Sequence, residues 1–244
     1  MMMMMRLWLS CHLLFAGISL NVFAATPEEC ELLVTPVSLA DPSVILGKTN
    51  YLAGYTDYAP FKGILKATDS SWLNITESPS NITSEVLMSQ ENRINGTCVG
   101  STVKMTLEGL RARVAFTEMD ATLSVLPSCD GCFVFYINYT ANDVKKLLEH
   151  INVSDKDLAD QAQGRSLYLM GKQLTLSPSD LEHFRKQASC LGFLGEPDFL
   201  FNPEKSTLLL KSAFPNFTRK SLTYLCVSAG FCREGEGIRL PYSQ

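Results

Sequence analysis

Between Gly47 and Tyr139 the sequence is a run of short apolar or alternating stretches, parted by clusters of Gly, Pro, Asn, Asp and Ser. That spacing predicts successive antiparallel strands joined by tight turns, as in a barrel or a sandwich. The strand candidates are residues 50–55, 64–75, 85–89, 99–107, 111–116, 122–126, 133–139 and 165–170. Eight strands suffice to close a barrel whose interior holds side chains or one small ligand. Two stretches break the pattern. Residues 142–150 place Val144, Leu147, Leu148 and Ile151 at helical spacing, and Ser177-Pro178-Ser179-Asp180 opens a stronger helix. Its Leu181, Phe184, Ala188 and Leu191 form an apolar stripe that ends near Gly192.

The amino terminus has the form of a secretory leader. A basic region ends at Arg6, residues 7–20 are apolar, and Ala24 and Ala25 supply small residues for cleavage. The apolar run is shorter than the ~20 residues a spanning helix needs. The expected layout is a leader over 1–24, one folded domain over 25–200 and an extended tail over 201–244. Six sequons, at Asn74, Asn81, Asn95, Asn138, Asn152 and Asn216, agree with a secreted, glycosylated chain. Losing Arg6 with the leader reduces Lys+Arg from 21 to 20 against 25 acids, a net charge of −5. That charge argues against nucleic acid and anionic membrane surfaces as partners, and no stable membrane insertion is expected.

Cys11 leaves with the leader, and seven cysteines remain, at 30, 98, 129, 132, 190, 226 and 232. An odd number in an oxidising compartment implies a free thiol, an intermolecular bridge or a foreign segment. Cys226 lies in a tail that has no acid between Glu204 and Glu234 but gathers Lys205, Lys211, Arg219, Lys220 and Arg233. Cys129-Asp130-Gly131-Cys132 has redox spacing but lacks the helix N-terminus that such chemistry uses. Asp-Gly between two β stretches is instead a hairpin signal, so a structural bridge across the turn is expected.

Nothing in the sequence has the spacing of a catalytic motif. There is no G-x-S-x-G, no H-E-x-x-H and no phosphate-cradling glycine loop, and the mature chain has only His150 and His183. No catalytic residue, metal or cofactor is expected, and the chain is read as a binder rather than an enzyme.

Gly47-Lys48-Thr49-Asn50-Tyr51-Leu52-Ala53-Gly54 resembles the first strand of a lipocalin, whose signature is G-x-W followed by an aromatic and a small residue. Asn95-Gly96-Thr97-Cys98, the strand at 165–170, and the segment Leu181-Glu182-His183-Phe184 leading to Cys190-Leu191 are similar to the α1-acid glycoprotein and apolipoprotein M branch. Glu29-Cys30, Leu52-Ala53-Gly54-Tyr55-Thr56-Asp57, Ser70-Ser71-Trp72 and Gly195-Glu196-Pro197-Asp198-Phe199 resemble fish plasma lipocalins that bind tributyltin or saxitoxin and tetrodotoxin. So does Phe231-Cys232-Arg233-Glu234-Gly235, and against that group residues 206–230 read as an insertion or a mis-spliced segment.

The resemblance implies an all-β fold with one flanking helix, an eight-stranded antiparallel up-and-down β-barrel of the lipocalin calyx type. It also implies the bridges Cys30–Cys190 and Cys98–Cys232, which leaves Cys129 and Cys132 for each other. In the chain-entropy picture such long bridges are worth roughly 3–5 kcal/mol each. The chain departs from the signature at Thr49, where the family has a Trp packed across the closed end. A substitute plug or reduced stability is expected there.

Alternation assigns the inner face once one outward residue is fixed. With Asn138 outward, Phe133 and Phe135 point inward with Ile137, and an outward Lys104 leaves Val103, Met105 and Leu107 inward, with Val114 and Phe116 beside them. The resemblance adds Tyr51, Tyr168 and Met170, and supports Phe135. Trp72 shares parity with outward Asn74 but completes the expected set of ligand contacts. All of these are also what a filled barrel core would contain.

The expected function is a secreted carrier that holds small hydrophobic or amphiphilic molecules, toxins or xenobiotics among them, in the barrel. The alternative is an interaction scaffold, associated with lipoprotein or another plasma partner, whose barrel holds no specific ligand. A cationic toxin would need a buried acid, and none is identified.

Overall fold

The computed structural model describes residues 25–80, 82–115, 118–149, 160–203 and 238–239. Eight strands form the wall: β1 (Gly47–Thr56), β2 (Thr68–Glu77), β3 (Glu85–Ile94), β4 (Thr97–Glu108), β5 (Arg111–Ala115), β6 (Met119–Pro127), β7 (Cys132–Ala141) and β8 (Ala162–Gly171). They pair in the order β4-β3-β2-β1-β8-β7-β6-β5, each antiparallel to its neighbours, and β5 returns to β4 to close the barrel. The expected architecture is present. The inner face is the one alternation assigns: Val103, Met105, Val114, Phe133 and Phe135 fall in one core cluster, while Val134 and Leu126 fall in another outside the wall.

Closure is uneven. β1 pairs with β2 only where Gly47–Asn50 meets Trp72–Ile75, and β4 with β5 only where Met105–Glu108 meets Arg111–Val114. Both seams are therefore stitched at one end of the barrel and part toward the other. Beyond each, a short strand occupies the exposed edge: β9 (Phe199–Leu200) lies against Ala53 and Gly54, and β10 (Ile238–Arg239) runs parallel to Val99 and Gly100. Covering an edge in this way satisfies backbone groups that would otherwise template aggregation. Two-residue strands have no period to read, so neither was expected.

Among the described residues four α-helices surround the wall: α1 (Pro27–Val34), α2 (Ala59–Ala67), α3 (Val144–Glu149), within the helical stretch read over 142–150, and α4 (Pro178–Cys190), the expected flanking helix. α2 corrects the strand expected over 64–75, because the chain stays helical to Ala67 and β2 begins only at Thr68. Its Phe61, Ile64 and Leu65 are at helical spacing, a signal that the adjoining apolar strand concealed. α4 begins as expected, with the Ser177 hydroxyl accepting a hydrogen bond from the Asp180 N–H. It buries Phe184 and Ala188 against Tyr55, Leu126, Val134, Leu167 and Leu169 on the outside of the barrel. The buried Gln187 amide donates to the Leu33 and Pro127 carbonyls at 2.9 and 2.8 Å, joining α4 to α1 and to β6.

Cys30 is bridged to Cys190 and Cys129 to Cys132, as expected. The first bridge spans 160 residues, a loop whose closure is worth about 5 kcal/mol in the chain-entropy picture. Cys98 is also disulfide-bonded. Its expected partner, Cys232, lies outside the described residues, as do Cys226, the leader and residues 206–230. Asn95 and Gly96, at φ 48° and 79°, form the two-residue turn between β3 and β4, a conformation that favours this Asn-Gly pair.

The stitched end is closed from below by residues 35–46. The Val37 N–H donates to the Val125 carbonyl at 2.8 Å and the Leu39 N–H to the Gly109 carbonyl at 2.7 Å, so the segment crosses the barrel end. A 3-10 turn at Pro42–Val44 follows, and Leu39 and Ile45 are almost wholly buried beneath the core. These two and Phe133 belong to one core cluster. Thr49 itself is buried with its hydroxyl making no hydrogen bond.

Candidate functional site

The half of the barrel above this floor contains a cavity of about 250 Å³. Strand alternation gives it two unlike walls. On one side Tyr51 of β1, Phe135 and Ile137 of β7, and Tyr168 and Met170 of β8 present aromatic and aliphatic surface. The Tyr51 ring is fixed between Phe199, stacked at 4.5 Å, and Tyr168, edge-on at 4.9 Å. Its hydroxyl lies over Gly54, where a Cβ would come within 1.6 Å of the oxygen, so glycine makes room for the ring.

On the other side Ser71 of β2, Gln90 and Asn92 of β3 and Ser101 of β4 form a polar patch. Cross-strand register brings them together, Ser71 opposite Asn92 and Gln90 opposite Ser101. The Gln90 amide donates to the Asn92 side-chain oxygen at 3.0 Å, and both residues are half-buried. Below the patch Leu73 and Met88 return the wall to apolar character, and above it Phe61, Ile64 and Leu65 of α2 lean over the mouth with Met119.

Every side chain described in this wall is uncharged at neutral pH. Burial raises the Tyr51 hydroxyl well above its ordinary pKa, and raises Tyr168 too, so both phenols stay protonated. Charges near the mouth turn outward in pairs. Asp57 binds the Arg165 side chain at 2.8 Å and its backbone N–H at 2.6 Å, and Lys146 meets Glu118 at 2.7 Å. The Asp57 carboxylate raises the Arg165 pKa, and Glu118 likewise raises that of Lys146.

The expected contact residues divide three ways. Tyr51, Phe135, Tyr168 and Met170 line the cavity. Val103, Met105, Val114 and Phe133 face inward but belong to the packed core. Phe116 lies outside the described residues. Trp72 is corrected: it pairs in register with Asn50 and Glu91, has the Lys48 ammonium 3.9 Å from its ring centre, and does not line the cavity. The cavity-lining neighbours Ser71 and Leu73 hold the inner face on either side of it, so its parity with Asn74 prevails.

Gln90, Asn92 and Ser101 were not anticipated as contacts. The third strand was ended at Ser89, although the alternation of Val86, Met88 and Ile94 runs on through both amides. Among the sequons, Asn95 and Asn138 are exposed and Asn74 is partly so, whereas Asn81, Asn152 and Asn216 lie outside the described residues. A more open hollow of about 500 Å³ crosses the outside of β5 to β8 beside Asn138, bordered by Arg113, Thr122 and Arg165.

No family model matches the chain, and no curated protein does. Among solved structures it is similar to the siderocalin Ex-FABP, at 16% identity over 66% of this chain and 92% of that one, with a TM-score of 0.47. It is also similar to the bovine lipocalin allergen Bos d 2, at 17% identity over 62% and 88%, TM-score 0.43. A third is the odorant binding protein OBP1, at 13% over 64% and 86%, TM-score 0.42. The fold stands on the chain's own strand pairing.

Proposed function

We propose that this chain is a secreted, glycosylated carrier of the lipocalin type, which holds a small hydrophobic or amphiphilic molecule inside the barrel. The observation behind this reading is the cavity itself. It is lined mainly by apolar and aromatic surface with a few convergent polar groups, the composition of a small-molecule site. At about 25 cal/mol per Å2, burying a few hundred Å2 of guest gives several kcal/mol before the cost of association, enough for micromolar carriage. Disulfides and accessible sequon asparagines support an extracellular setting. Hydrophobic xenobiotics suit this wall. A cationic toxin does not, because the acid it would need is absent among the described lining residues.

Native mass spectrometry of the protein purified from its source fluid tests the reading. A mass increment that is released on denaturation supports it. A bare polypeptide-plus-glycan mass, with no uptake of an added apolar dye, overturns it.

A further inference from the structure

Resting on that carrier reading, we propose that the barrel selects uncharged guests with one hydrogen-bonding head, seated against Gln90, Asn92 and Ser101, while the apolar body lies along Tyr51, Phe135 and Met170. β3 carries most of the argument. Two of its inward residues, Gln90 and Asn92, are amides set between Met88 and Ile94, whereas Glu91 and Arg93, which alternate with them, have outward parity. The Glu91 carboxylate lies over Gly100 on that opposite face, where a Cβ on the glycine would come within 2.5 Å of its oxygens. One strand thus separates its charges from the cavity and leaves neutral donors and acceptors inside.

The consequence for selectivity is physical. An ionised guest gives up hydration on entry, and this wall returns no countercharge, so ionic heads are strongly disfavoured. A hydroxyl, amide or ester head is treated differently. The Gln90 carboxamide has two N–H donors and an acceptor oxygen, and its one described hydrogen bond uses a single donor. A neutral head can therefore recover the bonds it loses to water. The patch sits above Leu73 and Met88, so the guest's tail points toward the floor.

The test uses the full mature protein, the uncharged dye N-phenyl-1-naphthylamine as reporter, and three competitors that share one alkyl chain: 1-decanol, decanoate and decylammonium. At pH 7.4 the alcohol is expected to displace the dye at least about tenfold more effectively than either ion. Equal displacement by decanoate or decylammonium overturns the selectivity while leaving the carrier reading intact. Failure of the dye and the alcohol alike to bind overturns the carrier reading itself. Gln90→Leu is expected to weaken the alcohol several-fold more than it weakens the dye, and thermal unfolding of the variant reports that it folds. Gln90→Glu is expected to improve decylammonium relative to decanol; an unchanged ratio in both variants places the head elsewhere and sinks the assignment.

Discussion

The floor and the mouth of this barrel are built from the same strands but packed differently. On β3, Val86 at the floor is buried in the core, whereas Gln90 and Asn92 near the mouth are half-buried and face empty space. On β7 Phe133 joins the packed cluster while Ile137 borders the cavity. The floor also receives Leu39 and Ile45 from the crossing segment, and among the described residues the mouth is covered by Phe61, Ile64 and Leu65 of α2 with Met119. Stability is thus concentrated where nothing binds, and room is left where packing is given up.

A matched pair of truncations tests this division most severely. Leu39→Ala should cost about 2–5 kcal/mol, since the site is closed by the core above it. Met88→Ala, which only widens an existing cavity, should cost about 1 kcal/mol or less. Thermal or urea unfolding of the two variants checks the contrast, and equal losses would erase it.

Gly54→Ala should follow at about 1–3 kcal/mol, because its Cβ would collide with the Tyr51 hydroxyl and that ring is hemmed by Phe199 and Tyr168. Tyr51 dye-contact shifts in the same variant would show the wall moving.

Alkaline pH should weaken the fold more gradually. The Tyr51, Tyr139 and Tyr168 phenols are raised by burial, and Tyr55 is raised to about 12. The unfolded chain therefore releases these protons first, near pH 10. Their contribution is complete below that value and is lost as pH rises toward the folded-state range. Urea midpoints at pH 9 and pH 11, read with tyrosinate absorbance, should show the fall. Smallest of all, Tyr51→Phe should change stability by no more than about 1 kcal/mol, in either direction, since the deleted hydroxyl makes no hydrogen bond.

Much of this was legible in the sequence for a simple reason: alternation reports which way a side chain points. With Asn138 taken as outward, period placed Phe133, Phe135 and Ile137 inward, and with Lys104 taken as outward it placed Val103, Met105 and Leu107 inward. Alternation does not report what covers a face. Val134 and Tyr136 point outward, yet both join the cluster beneath α4, and Trp72 is outward yet only 1% exposed. Nor does period distinguish a filled interior from a hollow one. Met105 and Met170 read alike in sequence and both join the inner core cluster, but only Met170 also borders the cavity. That difference arises from the crossing segment and from the seams, which are set by contacts distant in sequence.

The seams also determine how the wall can deform. Each holds its two strands together through four residue pairs, all near the floor. Mechanically the barrel is therefore two leaves, one of three strands and one of five, joined at the base and each edged higher up by a short strand, β10 on the three-stranded leaf and β9 on the five-stranded one. On the carrier reading, a bulkier guest is expected to change the angle between the leaves and to leave the four-pair seams at the base intact.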